Sequence, residues 1–187
     1  MTGMISGTVR DLTGQPVEGA VVQIVGYASG PALTDATGHF QFSQAPTGRQ
    51  WLTATHELYA AASFTGAHIA DDEESMVTVT IGERLPPQLS GVPSQVESGE
   101  PIQLTSSVDA TVYLLEGPTT AKIPSVETVR AKAVTRVTVL AGQPASLPTK
   151  EESHGPHVLY AIGAEGRISA GTSVYVENQE ELDELWK

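Results

Sequence analysis

The sequence predicts an all-β protein built as two tandem β-sandwich domains. Three observations lead to that class. Almost every apolar segment is short and alternates or is rich in β-branched residues, the period of half-buried strands rather than helices. Gly and Pro are plentiful, at 18 and 12 of 187 residues, and they fall between those segments, where turns belong. Hydrophobic residues make up 40% of the chain, enough for a packed core.

In the first half, Ile5–Arg10 alternates, Ala20–Val25 is β-branched, and His39–Phe42 places Phe40 and Phe42 on one face. Trp51–Thr55 and Met76–Ile81 complete the strand set, the latter with Val77, Val79 and Ile81 opposite Met76, Thr78 and Thr80. Two turn signals share one pattern, Asp11-Leu12-Thr13-Gly14 and Asp35-Ala36-Thr37-Gly38. An Asp carboxylate accepts from the backbone two residues on, and a Gly three residues on takes the positive φ that closes the turn, so both Asp residues are read as turn formers rather than catalysts. Gly82-Glu83-Arg84-Leu85-Pro86-Pro87-Gln88-Leu89 follows. Its Pro pair stiffens the chain toward polyproline II, so residues 83–89 are expected to be a semi-rigid linker between domains 1–82 and 90–178.

Beyond the joint, Ile102–Ser106, Ala110–Leu115, Arg136–Leu140, His157–Ile162 and Thr172–Val176 read as strands. Ser125–Val134 has helical spacing and a Ser-x-Glu opening and reads as a short helix. The acidic tail, residues 179–187, has acids early and Lys187 last, which suits a helix dipole and equally a frayed end.

The stretch Gly7-Thr8-Val9-Arg10-Asp11-Leu12-Thr13-Gly14-Gln15-Pro16-Val17-Glu18-Gly19-Ala20-Val21-Val22, followed by Thr34-Asp35-Ala36-Thr37-Gly38-His39-Phe40, resembles the carboxypeptidase regulatory-like family, the transthyretin-like module of many secreted and cell-surface bacterial proteins. The resemblance covers about residues 4–82 and implies a seven-stranded sandwich without an active site of its own. Asp109-Ala110-Thr111-Val112-Tyr113-Leu114 and the stretch from His157 to Ser169 resemble the Ig-like repeats of Gram-positive surface and S-layer-associated proteins, over about residues 88–177. In those repeats a tyrosine-rich strand is followed by an Asp-x-x-Gly-Asn-x-Ser turn; here Gly163 and Arg167 replace the expected Asp and Asn.

Charge excludes some partners. The 22 acids and 10 bases give a net charge of −12, with −6 on each side of the joint, a balance that repels nucleic acid and anionic membranes. The absence of Cys removes disulfides, thiolate metal sites and cysteine nucleophiles. No apolar run reaches the ~18 residues that span a bilayer. Met1-Thr2-Gly3-Met4-Ile5 lacks the basic and apolar regions of a secretion signal. The chain is therefore expected to be a fragment of a larger extracellular or cell-surface protein.

The catalytic motifs fail on inspection. His56-Glu57 opens like a zinc-protease helix, but the position one turn on holds Ala60. His154 and His157 lie in a Gly-Pro loop without a third ligand. No nucleophile elbow, phosphate loop or dinucleotide fingerprint is present. Asp71-Asp72-Glu73-Glu74 is a dense acidic run, but four consecutive acids without Gly converge poorly on calcium, and it reads as a solvated loop. Leu147-Pro148-Thr149-Lys150 has sortase-signal composition in the wrong order, with no apolar tail, and reads as a loop. An internal Lys–Asn/Asp cross-link is impossible in residues 1–82, which contain neither Lys nor Asn. In the second half it would need Lys122, Lys132 or Lys150 with an acceptor such as Asp109.

Three functions follow. The first is a non-catalytic module pair acting as spacer, adhesin or envelope building block, needing no cofactor or metal, whose partner is a cell-envelope polymer, glycan or other surface protein. The second is a carbohydrate-binding or accessory module of a secreted hydrolase, whose sugar platforms would be drawn from Trp51, Tyr27 and Tyr59, with the two tyrosines favoured because they sit near turns. Tyr113, Tyr160 and Tyr175 lie within strands and read as core or strand-surface residues. The third, ranked last, is a transthyretin-like hydrolase, for which His39, His56 and His68 with Arg10 and Arg49 supply the residue types but no motif.

Overall fold

The computed structural model describes residues 2–62, 64–71 and 73–178. The chain divides into two compact units, Met1–Leu85 and Pro86–Lys187, and both are β-sandwiches.

The first unit contains β1 (Thr2–Arg10), β2 (Val21–Ile24), β3 (Ala32–Leu33), β4 (His39–Pro46), β5 (Gly48–Thr55), β6 (Thr65–Ile69) and β7 (Glu74–Thr80). They form a three-stranded sheet ordered β4-β1-β7 and a four-stranded sheet ordered β3-β2-β5-β6. β1 is antiparallel to β4 and parallel to β7. Alternation sends one set of side chains from each sheet into a shared core: Ile5, Val9, Phe40, Phe42 and Val79 from the first, Val22, Ile24, Leu52, Ala54 and Ile69 from the second. Burying each of the larger ones contributes about 1.5–3 kcal/mol. Gly7 is required for close packing, because a Cβ there would stand 2.8 Å from the buried Phe40 ring.

The two halves of the sequence motif are physically clasped. Buried Thr34 donates from its hydroxyl to the Val17 carbonyl at 2.6 Å and accepts from the Ala20 N–H at 2.8 Å. Backbone bonds from Gly19 to the Thr34 carbonyl and from Thr34 to the Ala20 carbonyl reinforce the clasp. Asp11 and Asp35 are the turn formers the sequence predicts. Asp11 Oδ1 accepts from the N–H groups of Thr13 and Gln15 and from the Thr13 hydroxyl, and Asp35 Oδ1 does the same with Thr37 and His39. Gly14 and Gly38 take φ of 85° and 75°. Partial burial pushes the Asp11 carboxyl up, but the Thr13 hydroxyl, the Gln15 and Thr13 N–H groups and the charge of Arg84 outweigh it and hold it below the ordinary Asp value. For Asp35 the Thr37 hydroxyl leads the same downward shift, followed by the His39 and Thr37 N–H groups.

The second unit contains β8 (Leu89–Ser90), β9 (Gln95–Glu97), β10 (Ile102–Ser106), β11 (Ala110–Glu116), α1 (Val126–Lys132), β12 (Ala133–Val139), β13 (Ala145–Leu147), β14 (Gly155–Gly163) and β15 (Thr172–Glu177). A three-stranded sheet ordered β13-β10-β8 faces a five-stranded sheet ordered β12-β11-β14-β15-β9 across a core of Ile102, Leu104, Val112, Leu114, Leu147, Leu159 and Val174. The outer face of the larger sheet is buried as well. Tyr113, Leu115, Val158, Tyr160 and Ile162 pack there under α1, which contributes the fully buried Val129. This explains why β11 and β14 read as nearly continuous apolar runs. α1 forms where the sequence places it, with the Ser125 hydroxyl accepting from the Thr128 N–H at 3.2 Å, Glu127 in the first turn and Lys132 in the last.

Most strands extend the expected segments by a few residues, whereas β2 is shorter than Ala20–Val25, β10 coincides with Ile102–Ser106, and β7 and β12 stop one residue short of Ile81 and Leu140. β3, β6, β8, β9 and β13 are additional to them. Near the boundary, Ala60 donates to the Glu83 carbonyl and Leu85 to the Leu58 carbonyl within the first unit, and Gln88 exchanges hydrogen bonds with Ser107 within the second. The expected tail helix falls on residues 179–187, which lie outside the described residues.

The clasp predicts that Thr34→Val, nearly isosteric, lowers the stability of the first unit by about 1–3 kcal/mol, because the Ala20 N–H is left buried without its acceptor; equal denaturation midpoints for the two proteins would contradict it. The turns predict a pH signature. Their folded carboxyls are depressed, so their stabilisation is fully present above the ordinary Asp range of about pH 4 and is lost as pH falls through the lower folded values. Paired Asp11→Ala and Asp35→Ala substitutions should therefore lower the melting temperature at pH 7, and the deficit should close toward pH 2. A deficit that persists unchanged in acid would show that the carboxylates are not the source.

Candidate functional site

The four-stranded sheet of the first unit turns one face to the core and leaves the other uncovered. Along β5 the alternation that buries Leu52 and Ala54 sends Arg49, Trp51 and Thr53 outward. Along β6, Ile69 faces inward while Gly66 and His68 face outward. The antiparallel register then sets Arg49 opposite His68 and Trp51 opposite Gly66. The six-membered ring of the indole stands over Gly66, where a Cβ would meet Trp51 Cζ3 at 3.3 Å and Cη2 at 3.6 Å. Even so the indole is 57% exposed. On the other side of β5, Val25, just past the end of β2, donates its N–H to the Trp51 carbonyl at 2.8 Å.

Trp51, Val25, Leu33 and Phe64 are all large exposed apolar residues; the register places Leu33, paired with Val21, on the same face as Trp51, while Val25 follows the end of β2 and Phe64 immediately precedes β6. Arg49, Gln50, Trp51, Gly66, Ala67 and His68 line a shallow depression of about 290 Å³ at its centre. Exposed apolar side chains on an uncovered sheet face are the feature that makes this face the candidate site.

The other aromatic candidates are placed differently. Tyr27 and Tyr59 are half-buried and pack against the core. The Tyr59 ring is further enclosed by His56, edge-on at 5.4 Å between centroids, and by the Arg84 guanidinium 5.9 Å above it. Exposure thus favours Trp51 over both tyrosines, the reverse of what proximity to turns implies. Tyr113 and Tyr160 are buried, and Tyr175 stands half-exposed on β15.

The histidines are dispersed. His39 is exposed beside the Asp35 turn, and His56 accepts from the Leu58 N–H at Nδ1. His154 is exposed, whereas His157 is buried, with Nδ1 3.0 Å from the Gly155 carbonyl and Nε2 without a partner among the described residues. Of the five residues proposed for a hydrolytic centre, only Arg49 and His68 are neighbours, and Arg10 instead donates to the Gly14 carbonyl. In the acidic loop Asp71, Glu73 and Glu74 are exposed, and Glu74 accepts from the Ser6 hydroxyl; Asp72 lies outside the described residues. Among the described residues no group of three His, Asp or Glu side chains is placed to hold a metal. Leu147 belongs to the core and the Thr149 hydroxyl donates to the Glu100 carbonyl, so the 147–150 segment is structural. Asp109 accepts from the Ala141 N–H, which gives its carboxylate a turn-closing role. No helix among the described residues is long and apolar enough to cross a membrane.

Residues 4–82 match the family model of the carboxypeptidase regulatory-like domain. The chain matches no curated protein. Among solved structures, it is similar to a chain of a type II cohesin–X-dockerin complex from Acetivibrio cellulolyticus, with 22% identity over 43% of this chain and 58% of that one, and a TM-score of 0.35. It is also similar to the major pilin subunit of Bacillus cereus, with 12% identity over 94% of this chain and 69% of that one, and a TM-score of 0.43. A DUF3823 family protein from Bacteroides ovatus is 10% identical over 95% of this chain and 100% of that one, with a TM-score of 0.34. The chain spans 58% of the length of the cohesin–X-dockerin chain it matches.

Proposed function

We propose that this chain is a non-catalytic pair of β-sandwich modules of a bacterial extracellular or cell-surface protein, working as a spacer, adhesin or envelope building block that docks through its first module. In this reading module 1–82 is carried on the 83–89 joint by an Ig-like, S-layer-type module at 90–178, and the acidic tail 179–187 follows. The observation that carries the proposal is the uncovered apolar sheet face around Trp51, a surface suited to holding a partner and furnished with no convergent acid, base and nucleophile. The match of residues 4–82 to the carboxypeptidase regulatory-like domain supports the same reading. A second reading, a carbohydrate-binding or accessory module of a secreted hydrolase, is favoured by the exposed indole itself.

Sedimentation of the intact chain with purified bacterial cell envelopes tests the proposal. Retention should be lost at least about tenfold in Trp51→Ala/Phe64→Ala, the order expected when anchors worth more than about 1.4 kcal/mol are removed. Unaltered retention in the double variant, with its melting curve intact, would move the docking surface elsewhere; no retention by the unsubstituted chain would contradict the docking role.

A further inference from the structure

We infer that the Trp51 depression is a saccharide subsite that selects a sugar ring bearing a single carboxylate, with the ring stacked on the indole and the carboxylate held by Arg49 beside His68. This rests on the docking surface proposed above and names the chemistry of what docks.

Four features of the site converge on that ligand. The indole's six-membered ring stands over Gly66, with three of its atoms 3.3–3.7 Å from where a Cβ would lie, and Trp51 is still 57% exposed. A flat aromatic face held in place by a strand suits the C–H face of a pyranose, because it is large, apolar and already ordered before binding. Arg49 sits across the register from His68 and two residues from Trp51 on the same face of β5, within reach of a substituent on the stacked ring. The Arg49 guanidinium makes no hydrogen bond or ion pair to any described residue. Its planar fork matches a carboxylate bidentately, so the unused donors define the missing group.

Charge arithmetic sharpens the choice. Residues 1–85 hold three basic side chains, Arg10, Arg49 and Arg84, against nine acids. Arg10 is engaged by its own turn and Arg84 lies over Tyr59, which leaves Arg49 as the unengaged cation of an acidic unit. The acidic loop begins two residues past β6, at Asp71. An anion gains at Arg49 and is repelled elsewhere on the unit, so the site suits rings with one charge each and disfavours a densely charged polymer. The exposed His68 imidazole adds a polar contact for a ring hydroxyl or the carboxylate.

The test is titration of intact protein carrying Trp186→Phe, which leaves Trp51 as its sole tryptophan emitter. The probes are a galacturonic acid trisaccharide, the same trisaccharide fully methyl-esterified, and a glycerol-phosphate oligomer. The free-acid trisaccharide should perturb Trp51 emission saturably and bind about tenfold or more tightly than its neutral ester. Arg49→Gln should reduce that preference to near unity. Equal affinity for acid and ester in the unsubstituted site would overturn the carboxylate assignment, and so would a preference that survives Arg49→Gln. Tighter binding of the glycerol-phosphate oligomer would overturn the selection of a carboxylated ring. No response to any probe would overturn the saccharide subsite, while envelope retention lost in Trp51→Ala/Phe64→Ala would still uphold docking through this face. Trp51→Phe, monitored by ligand-induced amide shifts in nuclear magnetic resonance, should retain weakened binding and so separate loss of stacking from loss of fold.

Discussion

Each unit closes by laying an early strand parallel against its last one, and the rest of the architecture depends on that closure. In the first unit β1 pairs with β7 from Met4 opposite Glu74 to Arg10 opposite Thr80. In the second, β9 pairs with β15 from Gln95 opposite Tyr175 to Glu97 opposite Glu177. A parallel pair joins strands far apart in sequence, so forming it costs the closure entropy of the whole intervening chain. Without disulfides, these long-range ladders and the cores they enclose supply the cohesion of each unit. The β1 ladder also fixes the identity of Gly7, whose missing side chain admits the Phe40 ring, and so couples backbone register to core packing.

That closure frees one face for function. With β1 central in its own sheet, the second sheet needs to contribute only its inward residues to the core, and its outward positions are not constrained by packing. On the β3-β2-β5-β6 sheet Trp51 and Leu33 stand outward and exposed, and the indole ring stands over Gly66. The second unit treats its outer face differently, covering it with α1 and burying Tyr113 and Tyr160 beneath, so an equivalent platform is absent from that part of its sheet.

The sequence carried the strands whose alternation is strong and the two Asp turns, because both signals are local. β3, β8, β9 and β13 were not legible: at two or three residues each they are defined by the neighbour they pair with rather than by their own pattern. β6 was missed for another reason, since Thr65-Gly66-Ala67-His68-Ile69 is short, its β-branched Thr65 and Ile69 are separated by Ala67, and its Gly weakens the pattern. At the site, Trp51 was legible as a strand residue and a sugar candidate. Its place over Gly66, fifteen residues away, comes from the β5–β6 pairing, which no local pattern reveals. Tyr27 and Tyr59 show the converse: proximity to a turn gave no protection from being folded back against the core.

The central claim is that this chain acts through the outer face of the β3-β2-β5-β6 sheet. It is tested most directly by mapping amide chemical shifts of isotopically labelled intact chain as solubilised cell-envelope material is added. The account requires the perturbed amides to cluster at residues 23–25, 49–53 and 64–68. Perturbations centred instead on the Asp109, Arg130 and Gly163 depression of the second unit, or around His56 and Glu57, would contradict it.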